Sequence, residues 1–198
     1  MIYSDYESYF RDQMVKFQSF EWDLYRKPIE QTIDKIFPGI GYKGNVLDLC
    51  CGDGTTTYYL KEKGFKNLQG FDGNPEKIVK ALEHVPDVVF FCDDILDMIV
   101  YFFANEFDII YASHCFEHFL DPMKILADCR KLLGPKGSII MILPYPNEES
   151  EGHPGSNLLK LNGTIEEVTL NLKSAGFKVN IEQVNIREPE LIIKLTNL

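Results

Sequence analysis

Short apolar runs alternate along this chain with longer stretches in which apolar positions recur every three or four residues. NVLDLC (45–50), NLQGFDG (67–73), VVFFCDD (88–94), FDIIYAS (107–113) and SIIMILPYP (138–146) have strand length and are rich in β-branched and aromatic residues. Between them, GTTTYYLKEKGF (54–65), PEKIVKALEHV (75–85) and DPMKILADCRKLLG (121–134) carry helical spacing. Pro75 opens one helix, and Gly64 and Gly134-Pro135 close others. One of the threonines at 55–57 is expected to cap the first of these helices. Strands alternating with helices of about ten residues predict βαβ units and a parallel sheet.

The two ends of the chain break this rhythm. Upstream, Phe10, Met14 and Phe17, then Ile29, Ile33 and Ile36, fall at helical spacing, and Pro28 suits the first turn of a second helix. Residues 1–43 are therefore expected to form a helical appendage or lid on a main unit of residues 44–198, the whole being one structural domain. Downstream, a helix over GTIEEVTLNLKSAGF (163–177) precedes two strand-like runs, KVNIEQVNI (178–186) and ELIIKLTNL (190–198). Only Arg187-Glu188-Pro189 joins them, too short for a parallel crossover, so they must pair antiparallel. The predicted fold is α/β: a doubly wound, Rossmann-like, mostly parallel seven-stranded sheet with an antiparallel C-terminal hairpin.

Composition narrows the function. The 198 residues carry a net charge of −10, so no basic face for nucleic acid is expected. No apolar run approaches the roughly 18 residues of a membrane span. Five cysteines, an odd number without CxxC spacing, suggest reduced thiols and a cytoplasmic setting. Adjacent Cys50 and Cys51 resemble a redox or zinc pair, but the sequence supplies no partners for either role. They read more simply as small, fairly apolar residues in a tight turn.

In an open α/β sheet, ligands bind beyond the carboxyl ends of the strands. After the first strand stand Asp48, Cys50, Gly52, Gly54 and Thr55, where glycines permit a sharp turn and close approach to a ligand. After the second, Asp72-Gly73 is placed to accept ribose hydroxyls, although Asp72 could also just start a turn. After the third, Asp93-Asp94-Ile95 offers an acid for an adenine amino group and an apolar cover, or else a solvated turn. Ser113 ends the fourth. Thr57 occupies the third glycine position of a dinucleotide turn, and no lysine or arginine lies close in sequence. The surplus of carboxylates suits a cationic nucleoside better than a pyrophosphate.

VLDLCCGDG resembles the first motif of the class I S-adenosylmethionine-dependent methyltransferases, GFDGNPEKI their ribose-binding segment, and FFCDDILDM their adenine-binding segment. The stretch FDIIYASHCFEHFLDPMKILADCRKLLGPKGSIIMILP is similar to their small-molecule branch, and the terminal hairpin belongs to the same fold. Cys50 departs from the motif, standing where the family usually has glycine. The resemblance covers roughly residues 44–198. It implies S-adenosylmethionine as cofactor and a small-molecule acceptor at oxygen or nitrogen, with nucleic acid and membrane not expected as partners and the oligomeric state left open. Arg26 is then a candidate for the cofactor carboxylate, with Trp22 and Tyr25 over the pocket; alternatively they pack the appendage onto the sheet.

Methyl transfer needs an aligned acceptor, exclusion of water and, for a hydroxyl, a base. His114, His118 and His153 are the candidate catalytic residues. Each has a blander alternative, as a turn or packing residue. Glu117 is expected to bond backbone amides. His114, Glu117, His118 and His153 together could also hold a divalent metal, as in some metal-dependent methyltransferases of sugars or RNA ends. A non-catalytic cofactor-binding module is the remaining alternative.

Overall fold

The computed structural model describes residues 22–39, 42–146, 159, 163–186 and 189–197, with side chains of the first helix described from Lys27 onward. Helix α1 (Trp22–Ile36) leads into β1 (Tyr42–Leu49), α2 (Thr55–Glu62), β2 (Phe65–Asp72), α3 (Pro75–His84) and β3 (Val89–Cys92). After a 3-10 turn (Ile95–Val100) come β4 (Phe107–Ser113), a second 3-10 turn (Phe116–His118), α4 (Pro122–Leu132) and β5 (Leu133–Pro144). The chain ends with α5 (Ile165–Ser174), β6 (Phe177–Asn185) and β7 (Pro189–Asn197). The seven strands order as β3-β2-β1-β4-β5-β7-β6. β1, β2, β3, β4 and β5 run parallel, while β7 runs antiparallel to both β5 and β6. The doubly wound sheet with a reversed terminal hairpin is thus the one the sequence predicts.

Central strands are apolar because both faces are covered. Val46 to Leu49 are all buried, and β5 is buried almost throughout. One face packs Leu47, Leu49, Ile110 and Met141 against α4, α5 and the 3-10 turns. The other packs Val46, Ile109, Tyr111 and Ile140 against α1 and α2, with Ile33 of α1 inserted at 1% exposure. Asp48 lies on this second face, one of the few charges in the sheet's interior.

The ends of the helices differ from expectation in three places. Pro28 lies inside α1 rather than opening a helix, and the helix runs through it at the loss of one backbone hydrogen bond. No threonine caps α2: Gly54 takes that place with φ 81° and no side-chain bond. Asp53 Oδ1 instead accepts from Thr55 N at 3.2 Å and from the Thr55 hydroxyl at 2.6 Å. Gly134-Pro135 does not separate α4 from β5 by a loop, because Leu133 already begins the strand. Helices α3, α4 and α5 start conventionally, capped by Asn74, Asp121 and Thr164.

Candidate active site

The turn after β1 is left-handed at three residues. Cys50 has φ 57°, Gly52 56° and Gly54 81°. Glycine is needed at Gly54 for space as well as conformation, since a Cβ there would come within 3.0 Å of Ala81 in α3. At Gly52 the demand is conformational, with only Lys77 Cδ near, at 3.9 Å. The turn is tied to β2 by its backbone. Cys51 N donates to the Phe71 carbonyl at 3.1 Å, and Gly52 N donates to Asp72 Oδ2 at 2.9 Å. Asp72 Oδ1 accepts from Asn74 N at 2.8 Å. Each of these bonds uses one lone pair per oxygen, so the carboxylate keeps capacity for further donors. Burial raises the Asp72 pKa, against the pull of Lys77, which stands in the same segment and corrects the expectation that no lysine lies close in sequence.

Asp48 sits beneath the turn at 1% exposure, accepting from the Thr57 hydroxyl at 2.5 Å. Burial raises its pKa to about 7, and the nearby charges of Asp72 and Asp53 push in the same direction. A carboxyl in that state is stabilised as an anion by any cation that docks above it.

Beyond β3, Asp93 accepts from the Tyr101 hydroxyl and from Asp94 N, and its pKa is lowered by those bonds. Asp94 caps the 3-10 turn through Leu96 N at 2.9 Å, and Ile95 is buried. Ser113, at the end of β4, shares a hydrogen bond with the buried Tyr111. Gly73 follows Asp72 at the surface of the turn into α3.

The region past β4 gathers an acid–imidazole cluster. His114 has φ 47°, uncommon for a residue with a side chain, and its N–H continues the sheet to the Ile142 carbonyl. Its Nε2 is 2.8 Å from Glu190 Oε1 and its Nδ1 3.4 Å from Glu117 Oε1. Burial alone would lower the His114 pKa. The two carboxylates outweigh it and raise the value to about 10, so the ring is an imidazolium at neutral pH. Glu117 is 2% exposed, and among the described residues its second oxygen has no hydrogen-bond partner. His118 Nε2 stands 3.9 Å from the Glu117 carboxylate. Among the described residues, no group of three or more His, Cys, Asp or Glu is arranged to hold a metal ion.

Sequence reading did not find Glu190. It comes from β7, 76 positions from His114, and is 5% exposed. Its one trace is a carboxylate opening the apolar strand ELIIKLTNL. Arg26 lies in α1 with its side chain outside the described residues, as do those of Trp22 and Tyr25, and His153 lies outside them altogether. The expectation of reduced thiols throughout is corrected: Cys50 is bonded to Cys115, their Cα atoms 6.0 Å apart, while Cys51, Cys92 and Cys129 are free. Parallel pairing of β1 with β4 brings together two cysteines 65 positions apart, a proximity that no local spacing encodes.

This sheet order, with a glycine turn clamped to an acid on the next strand, defines the class I S-adenosylmethionine-dependent methyltransferase architecture. A family model described as a methyltransferase domain matches residues 22–167, and the chain belongs to that family. The chain is 27% identical over 137 residues to a demethylmenaquinone methyltransferase of Thermotoga maritima, covering 68% of this chain and 57% of the relative. It is 26% identical over 113 residues to a ubiquinone biosynthesis O-methyltransferase of Neisseria meningitidis, covering 54% and 47%. The chain thus spans about half the length of the curated relatives it matches. Among solved structures, an S-adenosylmethionine-dependent methyltransferase of Aquifex aeolicus shares the fold with a TM-score of 0.68 at 20% identity, covering 91% of this chain and all of that one. No helix among the described residues is long and apolar enough to cross a membrane.

Proposed function

We propose that the protein transfers a methyl group from S-adenosylmethionine to an oxygen or nitrogen of a small molecule. The observation that carries this reading is the clamp between Gly52 and Asp72. It fixes a left-handed turn against a carboxylate that retains lone pairs for ribose hydroxyls. Asp48 supplies buried negative charge below the turn, matching the cofactor's cationic methionine end. The Asp93-Asp94-Ile95 corner supplies acids and apolar cover for the base, and Cys50, Gly54, Thr55, Gly73 and Ser113 complete the cradle. The cofactor brings a methyl group on a positively charged sulfur, already activated for in-line displacement.

The protein's remaining tasks are to seat the acceptor, exclude water and handle a proton. We assign the acceptor to the side of the cleft walled by His114, Glu117 and Glu190. With both ring nitrogens facing carboxylates, His114 acts as a fixed cation that steadies acceptor charge rather than as a base. His118 is our candidate to accept the acceptor's proton, with His153 a second. Arg26 is our candidate for the cofactor carboxylate, and the buried Ile33 holds its helix, α1, to the sheet. The names of the two relatives, both tied to quinones, favour a ring hydroxyl of that class as the place to begin the search for acceptors. The free thiols of Cys51, Cys92 and Cys129 support a cytoplasmic setting.

Calorimetric titration with S-adenosylmethionine, followed by methyl-transfer assays on quinol and amine panels, tests the reading. Absence of cofactor binding in reduced protein, or binding undiminished by Asp72→Ala, overturns it.

A further inference from the structure

The bond between Cys50 and Cys115 is a feature that the cofactor reading leaves without a role. Cys50 stands at the carboxyl end of β1 and Cys115 two residues past the end of β4. In the order β3-β2-β1-β4-β5, the chain leaves β1 toward one side and returns on the other at β4. The crevice between those two strand ends is the switch point, where α/β sheets bind ligands. The Cys50–Cys115 bond crosses that crevice. A Cα separation of 6.0 Å lies in the ordinary disulfide range, so the backbone brings the two thiols within bonding reach.

Two further observations single out this pair. Of the three non-glycine residues with positive φ among the described residues, Cys50 is one end of the bond and His114 adjoins the other; the third, Asn105, is elsewhere. Two uncommon backbone conformations thus flank one covalent link. The neighbouring thiol is unsuited to replace either partner. Cys51 is 5% exposed, and burial with the charges of Asp48 and Asp72 holds its pKa well above the usual thiol range.

We propose that Cys50 and Cys115 form a reversible thiol–disulfide modification site that closes the cofactor crevice when oxidised and opens it when reduced, the oxidant being a small disulfide of the glutathione type. The gating half of this proposal rests on the cofactor reading above. Cys50 is half-buried and Cys115 buried, so exchange begins at Cys50. Its thiolate attacks the small disulfide, forming a mixed disulfide and releasing one small thiolate. Cys115 then attacks the Cys50 sulfur and expels the second. Two protein thiols give up two electrons, the small disulfide gains them, and the two protons end on the released thiols. In the oxidised state the bond ties the turn after β1 to the loop after β4, holding closed the crevice that the methionine end of the cofactor must enter.

The test uses the whole chain equilibrated with reduced or oxidised glutathione. Alkylation followed by peptide mass analysis reads the bond, and calorimetry with S-adenosylhomocysteine reads the crevice. The expected result is a Cys50–Cys115 bond in oxidised glutathione only, with affinity at least tenfold weaker in that state. Cys115→Ser, with Cys115→Ala as a check on folding, should abolish the redox dependence of affinity. Both thiols remaining alkylatable in excess oxidised glutathione overturns the site. A bond that forms while affinity changes less than twofold overturns the gating. Failure of the reduced protein and of both variants to bind counts against the cofactor reading and the gating with it, while alkylation still decides the thiol pair independently.

Discussion

His114 Nε2 lies 2.8 Å from Glu190 Oε1, a bond between the loop after the fourth strand and the start of the last. It joins the parallel half of the sheet to its reversed hairpin. The same ring meets Glu117 on its other side, so one imidazole is held by two buried carboxylates.

That arrangement fixes a charge. The folded pKa of His114, about 10, lies above its unfolded value, so pairing contributes stability that is complete below about pH 6.5 and is lost as pH rises toward 10. NMR titration should show the His114 ring protonated throughout pH 6 to 8. Glu190→Gln should lower its pKa by a unit or more, and a ring titrating normally in the parent protein would contradict the pairing.

Asp48 likewise loses stability as pH rises, but through burial of its charge rather than loss of a pairing. Its pKa of about 7 lies above the unfolded value of 3.8, so its ionisation costs stability progressively between those limits and fully above them. Asp48→Asn should raise the melting temperature of the cofactor-free protein at pH 8, by up to roughly 4 kcal/mol in stability, and flatten the dependence on pH below 7. It should also weaken S-adenosylmethionine binding at pH 8, because the carboxylate opposing the cofactor's cation is gone. Equal melting profiles for the two proteins across pH 4 to 8 would refute this.

Asp72→Ala removes an acceptor for two bonds from the backbone and for ribose hydroxyls. Hydrogen bonds to a charged group are worth about 1.5–3 kcal/mol, so S-adenosylhomocysteine affinity should fall roughly 10- to 100-fold. Circular dichroism should show the fold retained, since Asn74 still caps α3.

Gly54→Ala should destabilise the fold by about 1–3 kcal/mol, through left-handed strain and contact with Ala81 at 3.0 Å. Gly52→Ala meets no such contact and should cost less, chiefly the strain of φ 56°. Chemical denaturation of the two variants measures the difference, and equal losses would show that helix packing against Gly54 is not limiting.

What the sequence determined by itself was periodicity and the order of local signals. Apolar runs at strand length, Pro75 and Gly64 at helix ends, and the three-residue link before Pro189 sufficed for a doubly wound sheet with an antiparallel hairpin, because those features depend on near neighbours and on two repeating periods. Asp72 and the glycine turn were legible for the same reason: each stands immediately after a strand. The tertiary structure decided whatever depends on strands meeting across the sheet. Only the pairing of β1 with β4 joins Cys50 to Cys115, and only the hairpin's return brings Glu190 to His114. The expectation that Cys50 and Cys51 are small residues in a tight turn therefore holds for Cys51, which is buried and unbonded, and misses the partner of Cys50. Charge state followed the same division. A histidine's spacing marks it as a candidate base, but two buried carboxylates arriving from separate elements determine that its ring stays protonated.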